Sequence, residues 1–301
     1  MKKKIAVILA CCLALCCVGS ALAERSPYVA QIVIDDTISD YSYYYDHAGV
    51  LDALDDLIDD PANRAVFLYL NTPGGSMYEV DELYTKLMQY KEYTGRPVYA
   101  FAAQQALSGG MYVAMAADRI AAARMSELGS IGVIFSLTSE AGLYEKLGIA
   151  EYAVTSGKNK DFGWPELTEE QRAFLQDMVD ESFDIFVEII CASRGLTKEQ
   201  VLAFSDGRIF TARMARQYGL IDEVLSYEQA LDDLYDTFRL DDIKLVDYPK
   251  AGGQTPGAED AGNDAGEDEN LLEWLQNRLS LSTQGRLAAI ARMPRRMAIA
   301  R

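Results

Sequence analysis

Two apolar runs constrain this chain most, because each ends in a glycine-rich turn and gives way to helical periodicity. The first, Ala65-Val66-Phe67-Leu68-Tyr69-Leu70, has the length of a buried strand and runs into Asn71-Thr72-Pro73-Gly74-Gly75. Behind it Val80, Leu83, Tyr84, Leu87 and Met88 recur at the spacing of one helix face. The second, Pro97-Val98-Tyr99-Ala100-Phe101, leads to Ala106-Leu107-Ser108-Gly109-Gly110, which opens a small-residue helix through Ala117. Arg119 to Ala123 then reads as a further strand. Parallel strands need a crossover between them, usually a helix. Strand, glycine turn, helix, strand, turn, helix therefore predicts an α/β fold with parallel pairing.

The flanking segments extend this pattern. Residues 28 to 38 predict an opening strand. Tyr41 to His47 is a polar aromatic loop suited to a surface or an oligomer contact, with His47 in that loop or at the start of the next helix. That helix is short, carries Leu51, Leu54, Leu57 and Ile58, and stops near Pro61. Downstream, the capping box Thr168-Glu169-Glu170-Gln171 starts a long helix whose apolar face carries Phe174, Leu175, Met178, Val179, Phe183 and Phe186. A second box, Thr197-Lys198-Glu199-Gln200, starts another. No repeat of solenoid type is visible.

Both ends of the chain depart from this pattern. Lys2-Lys3-Lys4, an apolar run and Ala21-Leu22-Ala23 make residues 1–23 a secretory signal peptide, or a membrane anchor where it stays uncleaved. Residues 24–250 form the folded domain. Residues 251–270 hold six acids and no basic residue among repeated Gly and Ala, an acidic flexible linker. Residues 271–301 carry six arginines against one glutamate, an amphipathic tail able to meet an anionic membrane surface or the acidic body.

Charge and rare residues narrow the chemistry. The net charge of −18 argues against a nucleic-acid partner, since phosphate binding needs concentrated positive charge. Four of the five cysteines lie within residues 1–23, so the exported part keeps only Cys191, read as a core residue, and forms no intrachain disulfide. The single histidine, His47, excludes a multi-histidine metal site and leaves one candidate for a triad base.

Ser108 is a candidate nucleophile. A serine at the head of a helix has backbone N–H groups and the positive dipole end beside it, which stabilise an oxyanion formed by hydroxyl attack on a carbonyl. The same position also suits a plain N-cap. Pro73-Gly74-Gly75 would let a second backbone N–H approach, or would simply make a tight turn. The base is either His47 or a lysine of Ser156-Gly157-Lys158-Asn159-Lys160-Asp161, and spacing alone does not choose between them.

From about Tyr28 to Val224 the chain resembles the signal peptide peptidase A family, membrane-associated serine peptidases of the Clp-protease/crotonase fold. The blocks that carry the resemblance are Asn71 to Ser76, Leu107 to Tyr112, Gly129-Ser130-Ile131-Gly132-Val133, Ser156 to Asp161, and Asp206-Gly207-Arg208. The resemblance implies an α/β repeated ββα superhelix, with residues 24–250 as the peptidase domain. It makes Ser108 the nucleophile, Lys160 rather than Lys158 the general base, and Ser130 the residue that orients the lysine. Gly74 and Gly109 would supply the oxyanion-hole N–H groups, with no metal and no cofactor.

It also implies apolar peptide substrates such as signal peptide remnants, and action outside the bacterial cytoplasm at the membrane. Short members assemble as octamers in which serine and lysine come from neighbouring subunits, so a homo-oligomer is expected. Two alternatives remain within that fold: a membrane-linked serine protease with specific protein substrates, and a non-catalytic scaffold. Acyl-CoA hydratases and isomerases share the fold, but export disfavours a coenzyme A substrate.

Overall fold

A computed structural model describes residues 26–240 and 243–248. The expected leader, the body of the acidic linker and the arginine-rich tail lie outside the described residues.

The sheet grows from strands β1 (Tyr28–Ile34), β2 (Asn63–Thr72) and β3 (Val98–Leu107), all parallel. Between them cross helices α1 (His47–Asp59) and α2 (Met77–Thr94). Side chains of these strands alternate between two cores, as a pleated strand requires. Ala30, Ile32, Val66, Leu68, Leu70, Val98 and Ala100 face one cluster with Leu54, Leu83, Leu87 and Tyr90 of the crossover helices. Val29, Ala65, Phe67, Tyr99 and Phe101 face the other. Phe67 stacks on Tyr99 at 5.6 Å and meets Tyr227 edge-on at 5.8 Å, so aromatic packing covers that face of the sheet.

Strand β3 is long enough to serve two neighbours. Its first half, Tyr99 to Ala102, pairs with β4 (Arg119–Ala122), and its last residues, Gln105 to Leu107, pair with β5 (Glu127–Gly129). The sheet continues to β6 (Ile209–Thr211), antiparallel to β5, and to β7 (Glu223–Val224) beside β4. Strand β8 (Lys244–Asp247) closes the opposite edge on β1. The short helix α3 (Gly109–Ala114) follows β3 directly and α4 (Ala141–Leu147) follows β5. The long α5 (Glu169–Arg194), then α6 (Lys198–Leu202), α7 (Ala212–Gln217) and α8 (Tyr227–Phe238), complete the helices among the described residues. The α/β expectation with parallel pairing is met.

Local departures have physical causes. Helix α3 ends at Ala114 instead of Ala117, because the N–H groups of Ala116 and Ala117 turn back to Val113 and Ala114 and tighten the chain before β4. Thr168 and Thr197 both make their capping boxes. The apolar face of α5, however, is not covered throughout. Phe186, Val187 and Ile190 are buried, whereas Phe174 remains 58% exposed and Met178 47%. Cys191 is half-buried against the core.

Candidate active site

Ser108 sits between β3 and α3 with φ 48° and ψ −114°, a left-handed backbone that serine seldom adopts. Three contacts hold it there. Its N–H donates to the Gly129 carbonyl at 2.8 Å, its own carbonyl accepts from Tyr112 N–H at 3.1 Å, and the Pro73-Gly74-Gly75 turn packs against it. Such strain at one residue persists only where the surroundings impose it, and it turns the side chain out of the sheet.

The glycines are required by proximity. A Cβ at Gly74 would stand 2.7 Å from Gly109 N and 3.0 Å from Ser108 Cβ, and Gly74 also takes φ 100°. A Cβ at Gly75 would overlap the Ile38 carbonyl, whose residue bridges to this turn through Ile38 N–H to Gly74 O and Ser76 N–H to Ile38 O. The turn and the head of α3 thus meet backbone to backbone. The Gly74 N–H is already engaged, donating to Thr72 Oγ1 at 3.1 Å. Gly75, Ser108 and Gly109 together line a cavity of about 480 Å³, and Gly74 does not. The threonine bond and the cavity lining both distinguish Gly75 from Gly74.

Ser130 is brought to Ser108 by register. Leu107 pairs with Gly129, so the following residues, Ser108 and Ser130, lie side by side at the ends of parallel strands. Ser130 also has a positive φ, 50°, and is fixed by its N–H to the Arg208 carbonyl at 2.8 Å. The Asp206-Gly207-Arg208 block therefore buttresses Ser130, with Asp206 Oδ atoms holding the Arg208 guanidinium.

Lys160 is not among the residues that line the Ser108 cavity. It lies in an exposed stretch between α4 and α5, its N–H bonded to Gly157 O at 3.0 Å. Lys158 is committed to Glu170 at 2.6 Å. His47 stands elsewhere: buried at the head of α1, it places Nδ1 2.8 Å from the Tyr45 hydroxyl and Nε2 2.9 Å from Glu82 Oε2, outside the Ser108 cavity. Its two ring nitrogens serve a structural link, not Ser108.

The cavity beside Ser108 was not foreseen in detail. Met77, Val80, Val133, Ile185 and Phe186 make apolar walls, with Asp81 and Tyr112 among them. Among the described residues, no group of three or more His, Cys, Asp or Glu side chains is placed to hold a metal ion, and no helix is long and apolar enough to cross a membrane.

These features define an α/β protein that presents a serine on a strained strand-to-helix turn, beside backbone donors and an apolar cavity. The family model of peptidase family S49 matches residues 91–241, and the chain belongs to that family. It is 34% identical over 206 residues to "Putative signal peptide peptidase SppA" of Enterococcus faecium, covering 68% of this chain and 60% of that protein. It is also 34% identical over 200 residues to "Putative protease MJ0651" of Methanocaldococcus jannaschii, covering 66% and 64%. Protease 4 of Haemophilus influenzae is 27% identical over 208 residues, 68% of this chain and 34% of that protein. The chain spans less than two thirds of the length of these relatives.

Proposed function

We propose that the chain is a serine endopeptidase with a Ser108–Lys160 dyad, acting outside the cytoplasm on apolar peptides such as signal peptide remnants. The observation that carries this is Ser108 held at φ 48°, lining an apolar cavity together with Gly75 and Gly109. The parallel sheet with its split β3 suits the Clp-protease/crotonase superhelix that family membership implies.

In the reaction, neutral Lys160 takes the Ser108 proton as Oγ attacks the peptide carbonyl. The Gly109 N–H and one N–H of the glycine turn receive the oxyanion. In that turn Gly75 is the better donor than Gly74, because Thr72 already occupies the Gly74 N–H. Collapse expels the amine, which takes the proton back from Lys160, and water activated by the lysine, now neutral again, hydrolyses the ester on Ser108. Ser130, beside Ser108, steadies the lysine amine.

Lys160 reaches Ser108 from a neighbouring copy in this reading. Exposed apolar side chains on the segment that carries it support such an assembly, with Ile134 at 85% and Tyr152 at 90% exposure, as does the bare half of α5. A homo-oligomer, eight-membered by family resemblance, follows. The Ser108→Ala and Lys160→Ala variants should each be inactive against an apolar signal-like peptide while keeping the wild-type oligomer size. Unfolding and reassembling the two variants together at equal ratio should restore about a quarter of wild-type activity, since each site draws its two residues from different chains. Mixed variants that stay silent would exclude the shared site. Equal cleavage by all three proteins, or none by the assembled wild type, would leave the scaffold reading.

A further inference from the structure

The cavity beside Ser108 is apolar on most of its wall but carries one ionisable acid. Asp81 lines it from α2, one turn after Met77, and is the only charged residue in the lining among the described residues. The Tyr112 hydroxyl donates to Asp81 Oδ1 at 2.5 Å. Tyr112 itself is clamped between Tyr84, edge-on at 5.4 Å, and Phe186 at 5.0 Å. Burial first, and the Asp81 carboxylate second, hold the Tyr112 phenol well above its ordinary pKa, so it remains a donor. One phenol fills one of the roughly four acceptor positions of a carboxylate, and no Lys or Arg among the described residues pairs with Asp81.

We propose that Asp81 makes this cavity a subsite for a lysine or arginine side chain of the peptide substrate, a specificity that rests on the peptidase reading above. The methylenes of such a side chain lie along Met77, Val80 and Ile185, and its cationic end meets Asp81. A leucine in the same place buries the walls equally well but offers the carboxylate no donor. Tyr112 fixes the carboxylate where the cation arrives.

The test uses the assembled full chain and fluorogenic apolar peptides. At each of the three positions preceding the scissile bond, lysine, arginine or norleucine is placed in turn; norleucine keeps the stem of lysine without its charge. At one position kcat/KM for lysine and arginine should exceed norleucine by about tenfold or more, the worth of a charge-assisted hydrogen bond. Asp81→Asn should bring that ratio close to one, and Asp81→Glu should retain a preference for the cation. Each ratio is measured on a single preparation, so loss of folded protein cancels. A wild-type ratio near one, or a ratio that Asp81→Asn leaves unchanged, overturns the subsite while the peptidase reading stands. If no peptide is cut and Ser108 does not react with a fluorophosphonate, the peptidase reading falls and the subsite with it.

Discussion

At the scale of single residues, polar groups in this fold matter through what they would leave behind. Asp233 accepts from Arg119 Nε at 2.6 Å and Nη2 at 2.8 Å, and from the buried Tyr99 hydroxyl at 2.7 Å. Asp233→Ala would strand both donors and should cost about 2–3 kcal/mol of stability. The Arg119 guanidinium, aided by Tyr99 and opposed by burial, holds the Asp233 carboxyl below the ordinary carboxylate range. A depressed carboxylate contributes its stability in full above the unfolded value, near pH 4, and loses it as pH falls through the folded value. The gap in Tm between wild type and Asp233→Ala, followed by circular dichroism, should therefore be widest near neutrality and narrow below about pH 4. A gap that holds constant on acidification would mean that this carboxylate is not linked to folding. Such a partnership was invisible in the sequence, since Asp233 lies 114 residues from Arg119. Ser108, by contrast, was legible because strand, glycine and helix signals bracket it locally.

Among elements, the legible ones were those with a full period of pattern: the apolar run of β2, the face of α2, and the capping boxes of α5 and α6. Strands β5, β6 and β7 have only two or three residues each, too short for alternation to register. Two of them, β5 and β6, are nonetheless the elements that set Ser130 beside Ser108. Gly129 is the joint that allows it: φ is 95°, and a Cβ there would stand 2.5 Å from the Phe210 ring of β6. Gly129→Ala should cost about 2–4 kcal/mol, from strain at positive φ added to overpacking against Phe210. Because Ser108 N–H bonds Gly129 O, activity should fall further than the folded fraction does. Urea unfolding and peptide assay on the same sample would separate the two, and a loss of activity that merely tracks unfolding would show that β5 does not position Ser108 for the proposed reaction. Half of α5 taught the opposite lesson. Its periodicity marks an apolar face correctly, but periodicity reports only that a face needs cover, not whether the same chain provides it.

For the whole molecule, the placement of Lys160 on an exposed segment, away from the cavity, is the feature with the widest reach. On the proposed pairing, a lone chain holds a nucleophile that nothing deprotonates. Concentration then acts as the switch. Activity per chain should fall steeply on dilution through the assembly range, and return on reconcentration, whereas a site complete within one chain would show constant activity per chain. A peptidase built in this way would be harmless in transit: a newly made copy would meet its own kin before it could cut anything, and crowding at its destination would turn it on.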